Sequence, residues 1–303
     1  MQAGPETQNS SMVVIPSADP SYHPLFSMED ADVVLSSCDG TLFRVPSATL
    51  KMTSSWFRTM FKLPQPPASS TTDIITLSED SVTLEGLLRM VCGIVIPTLT
   101  CWDDVEPILY AAEKYDMPGP HSIIRALAHT PPFLNEPLRL FAAACRYDWP
   151  DEARLASTLS LALDLADPLY RPDLLKLKTS ALLALQDLHR ARLAGFRARL
   201  SQPPFLTDVQ MADGSGQRCR CGEPFDYGAW RELKYAMERE LERRPKGDTV
   251  REGLEEWHVA KVCWASRCRR SACNNNVYDV SSTTRAIRDA IDSLPSAIEA
   301  PVE

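Results

Sequence analysis

Ala31-Asp-Val-Val-Leu-Ser-Ser-Cys-Asp-Gly-Thr-Leu-Phe-Arg-Val-Pro-Ser-Ala-Thr-Leu-Lys-Met-Thr-Ser-Ser-Trp-Phe-Arg-Thr-Met-Phe61 is the stretch that decides the fold. Its first part, Val33 to Leu35, is a short apolar strand leading into Asp39-Gly40, a dipeptide that tolerates the positive φ angles of a tight hairpin. A second strand, Thr41 to Val45, follows at once. Pro46 ends the pairing because it has no N–H to give a ladder. A helix then carries Ala48, Leu50, Trp56, Phe57 and Phe61 toward a core. No nucleophile, phosphate loop or metal cluster sits in this segment, so its residues are suited to packing rather than chemistry.

Downstream, Asp73-Ile-Ile-Thr-Leu-Ser reads as a third strand, and Val82, Leu84, Leu87, Leu88 and Val91 mark a following helix. Strand, hairpin, strand and a helical segment of the form S-x-x-F-x-x-M-F (here Ser54-Ser-Trp-Phe57-Arg-Thr-Met60-Phe61), with Asp32 at the acidic position of the first strand, resemble the opening of a BTB/POZ domain. The resemblance covers roughly residues 29 to 130. A Pro-rich insertion after the Met-Phe pair, with helices beyond, resembles the large BTB families of basidiomycete fungi. The implied fold class is α+β: an N-terminal BTB/POZ fold, then an all-α extension, then a small, mainly helical Cys-containing module. The implied function is non-enzymatic protein–protein interaction, with homo- or hetero-dimers through the BTB domain.

The chain departs from that family pattern in three places. Cullin-ligase adaptors place an apolar-x-Glu motif soon after the Met-Phe pair, whereas this chain has Lys62-Leu-Pro-Gln-Pro-Pro67. Where BTB domains often carry His and a basic residue after the second strand, Pro46 and Ser47 stand, which leaves Asp32 without a cationic partner. The N-terminal helix of many domain-swapped BTB dimers has no counterpart in Ser21 to Glu29.

The chain has 303 residues, of ordinary globular composition, and a net charge of −8. Residues 1–130 hold 7 Lys/Arg against 15 Asp/Glu, residues 131–200 hold 10 against 8, and residues 201–303 hold 15 against 17. An acidic front half argues against nucleic acid or an anionic membrane as its partner. No apolar run is long enough to span a bilayer. Residues 1–27 lack a basic start and an apolar h-region, so no secretory signal is expected. Nine cysteines without such a signal point to a reducing compartment, cytoplasm or nucleus, and to free thiols or metal rather than disulfides.

Organisation follows composition. Residues 1–27 read as a disordered tail, 28–130 as the BTB/POZ domain, 131–200 as a helical, BACK-like extension, and 201–303 as a mainly helical C-terminal module that zinc would stabilise. A weak repeat links Ala111-Ala-Glu-Lys-Tyr-Asp-Met-Pro118 to Ala143-Ala-Cys-Arg-Tyr-Asp-Trp-Pro150, as expected of successive helical hairpins. Leu174 to Leu200 reads as one amphipathic helix with Leu182, Leu185, His189, Leu193, Phe196 and Leu200 on one line. Arg190, Arg192, Arg197 and Arg199 lie mostly off it and read as a solvated face. Further helices are expected over Ala229 to Arg244, from Asp248 toward Cys263, and over Ser282 to Ser293.

No G-x-G-x-x-G, G-x-x-x-x-G-K, G-x-S-x-G or H-E-x-x-H occurs, so no enzyme class is indicated and no catalytic residue is named. Cys38, Cys92, Cys101 and Cys145 read as buried small hydrophobes. The other five lie late: Cys219-Arg-Cys221, then Cys263, Cys268 and Cys273. A tetrahedral zinc site needs four thiolates or imidazoles brought together by two short spacers. Cys219 with Cys221 supplies one half and Cys268 with Cys273 the other, with Cys263 or His258 as substitutes. The spacings C-x-C and C-x4-C are looser than C-x2-C, so free thiols are the reading the spacing favours and structural zinc the alternative. Fungal BTB proteins of this style carry similar cysteine pairs around a Trp-bearing helix and a Pro-Gly-type break, here Trp230 and Pro245-Lys-Gly247. Scaffolding is the leading functional reading, a cullin-ligase substrate adaptor the second and a transcriptional regulator the third.

Overall fold

A computed structural model describes residues 21–63, 74–206, 210–211 and 218–299. Residues 1–20 of the expected tail and most of the expected Pro-rich insertion lie outside the described residues. The chain divides into two compact units, Met1–His129 and Thr130–Glu303.

In the first unit, β1 (Val33–Ser36) pairs antiparallel with β2 (Leu42–Val45), Val33 opposite Val45 and Ser36 opposite Leu42. Gly40 sits in the turn at φ +88, a conformation that costs a side-chain-bearing residue steric strain. β3 (Ile74–Thr76) joins parallel to β1, giving the order β2-β1-β3. Central β1 is therefore buried through Val33, Val34 and Leu35. The Asp39 carboxylate accepts hydrogen bonds from the Ser37 hydroxyl and from the Ser81 N–H and hydroxyl, which ties the hairpin to the start of α3 (Ser81–Cys92).

The helix expected after β2 is two: α1 (Ser47–Thr53) and α2 (Ser55–Met60). Ser54 between them is extended; its hydroxyl accepts from Phe57 N–H at 3.0 Å and donates to the Tyr115 carbonyl at 2.5 Å. The break re-phases the apolar face. Leu50 and Phe57 are buried, but Ala48 is exposed and Trp56 is 40% exposed, lying edge-on against Tyr115. Asp32 is not a buried acid lacking a cation. It is exposed and accepts from the Ser47 N–H at 2.6 Å, and Ser47 lowers its pKa. Ahead of the sheet, Ser21 and His23 bond to Leu42, and Phe26 is buried. α4 (Trp102–Lys114) and α5 (Pro118–Leu127) complete the unit.

The repeat is structural. Asp116 and Asp148 both have positive φ, +48 and +54. Met117 N–H donates to the Ala112 carbonyl at 2.8 Å, and Trp149 N–H to Ala144 at 2.9 Å. Each copy thus closes its helix with the same six-residue bond. The proline that follows opens the next helix, where its missing N–H costs nothing.

The second unit holds α6 (Pro131–Leu134), α7 (Pro137–Arg146), α8 (Pro150–Ser160), α9 (Arg171–Leu174) and α10 (Thr179–Arg199). Then come α11 (Gly228–Arg243), α12 (Asp248–Gly253), α13 (His258–Trp264) and α14 (Val280–Asp292). Three expectations change. The long helix starts at Thr179, not Leu174. The helix from Asp248 breaks before His258, because residues 254–256 tighten into a 3-10 turn. The last helix starts at Val280, not Ser282, and is capped by Asp279, which accepts from Ser282 N–H.

Phe196 of α10 and Leu200, its C-cap, share a core with Trp230, Leu233, Leu254 and Ile287. Arg192 was expected at the surface, but it is 5% exposed. Its guanidinium donates to the carbonyls of Pro245 (2.6 Å), Lys246 (3.0 Å), Pro295 (2.6 Å) and Leu294 (3.4 Å). Both proline breaks are thereby tied to α10. His189, on the apolar line, is half-buried, its Nε2 lying 3.2 Å from the Ser160 hydroxyl.

Candidate metal centre

Two short loops place the late cysteines. In the first, Arg218 bridges Pro224, Cys219 N–H donates to the Glu223 carbonyl at 2.9 Å, and Gly222 N–H donates to the Cys219 carbonyl at 2.8 Å. Gly222 takes φ +85, which lets the loop turn back within two residues of Cys221. In the second, Arg267 bridges Asn276, Cys268 N–H donates to the Asn275 carbonyl at 2.9 Å, and Cys273 N–H to the Arg270 carbonyl at 2.8 Å. The first loop leads into α11; the second follows α13.

Sulfurs are the inward product of these turns. Backbone N–H groups two residues on point at three of them: Cys221 N–H at Cys219, Arg270 N–H at Cys268 and Asn275 N–H at Cys273. The Cys219 and Cys273 sulfurs lie 3.4 Å apart, and those of Cys221 and Cys268 3.6 Å. All four lie within 4.8 Å of one another. Cys219 and Cys268 are buried, Cys221 and Cys273 half-buried. The sequence-predicted residues are thus brought together, and neither Cys263 nor His258 belongs to the cluster. Cys263 is buried in the helical core, where burial pushes its thiol up to about 12.

Electrostatics fit a cation. The Cys221 N–H, followed by the neighbouring thiols, brings Cys219 down to about 6. Arg270 N–H pulls Cys268 the same way, but burial and the adjoining thiols prevail and push it up to about 12; Cys273 is raised as well, chiefly by Cys219. One thiolate therefore opposes the next, a repulsion that protonation or a bound cation would relieve. Arg218, Arg220, Arg267, Arg269 and Arg270 flank the sulfurs, all exposed, with Arg269 paired to Asp226 at 2.7 Å.

The remaining cysteines do not cluster. Cys38 is exposed, against expectation, because it lies on the hairpin turn; Cys92, Cys101 and Cys145 are half-buried. Ser160 beside His189 is fully buried, and its hydroxyl donates to the Ser157 carbonyl at 2.7 Å, so this pair serves packing. Among the described residues, no helix is long and apolar enough to cross a membrane.

The first unit carries the recognisable fold. A family model, the BTB/POZ domain, matches residues 23–130. That segment is a BTB/POZ domain. It begins at His23, whose ring stacks on Phe43 at 5.1 Å, and so takes in Phe26 and the chain that pairs with Leu42. BTB/POZ domains are protein-interaction modules that often dimerise. No curated protein matches the chain. A mostly helical remainder follows the BTB/POZ domain, with the cysteine cluster near its end.

Proposed function

We propose that the protein is a non-enzymatic scaffold whose BTB/POZ domain makes the principal protein–protein contact and whose late cysteines hold a structural zinc ion. The BTB/POZ match over residues 23–130 carries the first part. Its support is chemical as well: the domain leaves Met52, Trp56, Val82 and Val95 exposed at its surface, apolar area that a partner chain would cover. The second reading is a cullin-ligase substrate adaptor, favoured by the helices that follow the domain. The stretch after Met60-Phe61 lacks the adaptor's Glu, which places scaffolding first. Cytoplasm or nucleus is the proposed location.

Zinc suits the donor set. A tetrahedral site with Zn–S bonds of 2.3 Å has S···S edges of about 3.8 Å. The Cys219–Cys273 and Cys221–Cys268 separations, 3.4 and 3.6 Å, lie close to that edge and far from a disulfide bond. Four thiolates around one divalent ion carry a net charge of −2, which the surrounding arginines offset. Cys219, Cys221, Cys268 and Cys273 would hold the ion, and its chemistry there is cross-linking: two loops some 50 residues apart become one cross-braced element.

Two measurements test these readings. Affinity capture with the full chain and with Thr130–Glu303 alone, read by mass spectrometry, is expected to show specific partners that depend on the BTB/POZ domain. Recovery of the same partners without that domain refutes the first part, and a cullin among the domain-dependent set promotes the adaptor reading. Elemental analysis of the folded full chain is expected to give about one zinc per chain; a value near zero refutes the second.

A further inference from the structure

We propose that the centre discharges its metal on oxidation by a peroxide, closing two specific disulfides, Cys219–Cys273 and Cys221–Cys268; this rests on the zinc reading above. Four sulfurs allow three pairings. The Cys219–Cys273 and Cys221–Cys268 contacts, at 3.4 and 3.6 Å, favour one of them, and both of its bonds run from the first loop to the second.

Burial assigns the roles. Each pair joins one half-buried sulfur, Cys273 or Cys221, to one buried sulfur, Cys219 or Cys268. Accessibility sets the order: the outer sulfur meets the peroxide and the inner one waits as the resolving thiolate. The outer thiolate attacks a peroxide oxygen, the O–O bond breaks, and hydroxide leaves, giving a sulfenic acid. The inner thiolate then attacks that sulfur and expels a second hydroxide. Each disulfide uses one peroxide, gives up two electrons from sulfur and takes two protons to form two waters. Two such events convert the zinc tetrathiolate, two peroxides and four protons into two disulfides, four waters and free Zn²⁺.

The selected pairing has a structural consequence. Both bonds cross between the loops, 54 and 47 residues apart in sequence, so covalent ties replace the metal at the place it leaves. Oxidation is thus expected to keep the loops together, whereas a chelator acting on reduced protein releases them. Cys38, exposed and outside the cluster, serves as the internal control for unselective oxidation.

The test uses the full chain. Zinc content is measured first, then hydrogen peroxide is titrated in the presence of a chromogenic zinc chelator, and tryptic peptides are mapped without reduction. Trypsin separates all four cysteines, because Arg218, Arg220, Arg267, Arg269 and Arg270 intervene. About one zinc per chain should be released as free thiols fall from nine to five (9 − 4 = 5), with the two named cross-linked peptides recovered. Dithiothreitol and zinc should restore the starting state. A chain that never held zinc defeats the zinc reading and this proposal together. A zinc-loaded chain that keeps its metal while Cys38 is oxidised, or that yields Cys219–Cys221, overturns this proposal and leaves the zinc reading standing.

Discussion

Arg192→Met probes the element that ties α10 to the two proline breaks. Arg192 is a buried cation with no carboxylate in contact among the described residues: burial lowers its pKa, against the opposing field of Asp292. Three of its four carbonyl contacts are 3.0 Å or shorter. Hydrogen bonds to a charged donor contribute about 1.5–3 kcal/mol each, so these three sum to roughly 4.5 kcal/mol at the low end. Removing a desolvated guanidinium returns part of that, leaving an expected net loss of about 3 kcal/mol. For a unit of this size, that lowers the unfolding temperature by about 6–12 °C. Calorimetry measures it, and hydrogen exchange locates it: amides around Lys246 and Pro295 should lose protection first. Arg192→Lys should recover less than half, since an ammonium cannot reach both breaks with a planar fork. A Met variant within about 0.5 kcal/mol of the parent, or a Lys variant equal to Arg, refutes the reasoning.

Other consequences are checked more simply. His189 is lowered to about 4 by burial, then by Arg192, against Asp164, so the folded chain binds its proton less readily than the unfolded one. Stability is then full above about pH 6.5 and falls as pH drops toward 4, by at most about 3 kcal/mol; His189→Gln should flatten that slope in denaturant titrations at pH 5 and 7. Phe57→Ala removes a fully buried ring from the BTB/POZ core and should cost about 3–5 kcal/mol, read from chemical unfolding. A chelator at neutral pH, with thiols kept reduced, should lower the unfolding temperature of the second unit, and added zinc should restore it. An unchanged transition after the zinc is removed would show that the cross-brace adds no stability.

The BTB/POZ fold was legible because its signals are local and repeated. Asp39-Gly40 turns the chain, Pro46 stops the ladder, and the apolar runs Val33 to Leu35 and Leu42 to Val45 mark the two strands. What escaped was the extended Ser54, a single residue whose hydroxyl bonds to a carbonyl 61 positions away. No periodicity in residues 47–61 reports such a contact, so Trp56 was assigned to the wrong environment. Arg192 escaped for the same reason. Its neighbours on the helix read as a charged face, and only the carbonyls left open at Pro245 and Pro295, distant in sequence, give the guanidinium a reason to be inside. Long-range polar satisfaction is the part of a fold that pattern alone conceals.

The cysteines illustrate the opposite case. Their spacing, C-x-C and C-x4-C, is weaker evidence than paired C-x2-C, and alone it leaves free thiols open. What the spacing conceals is the backbone. Gly222 at φ +85 and Asn274 at φ +49 let each loop fold back on itself. In each loop the turn, rather than the number of intervening residues, aims the N–H groups at the sulfurs. A glycine shortly after one cysteine pair and an Asn run after the other were the available sequence cues, both residue types that tolerate left-handed backbone. Spacing rules summarise the commonest way to build such a turn. When the same turn is built by other residues, the sulfurs converge just as closely, and the donor set rather than the motif decides which ion it suits.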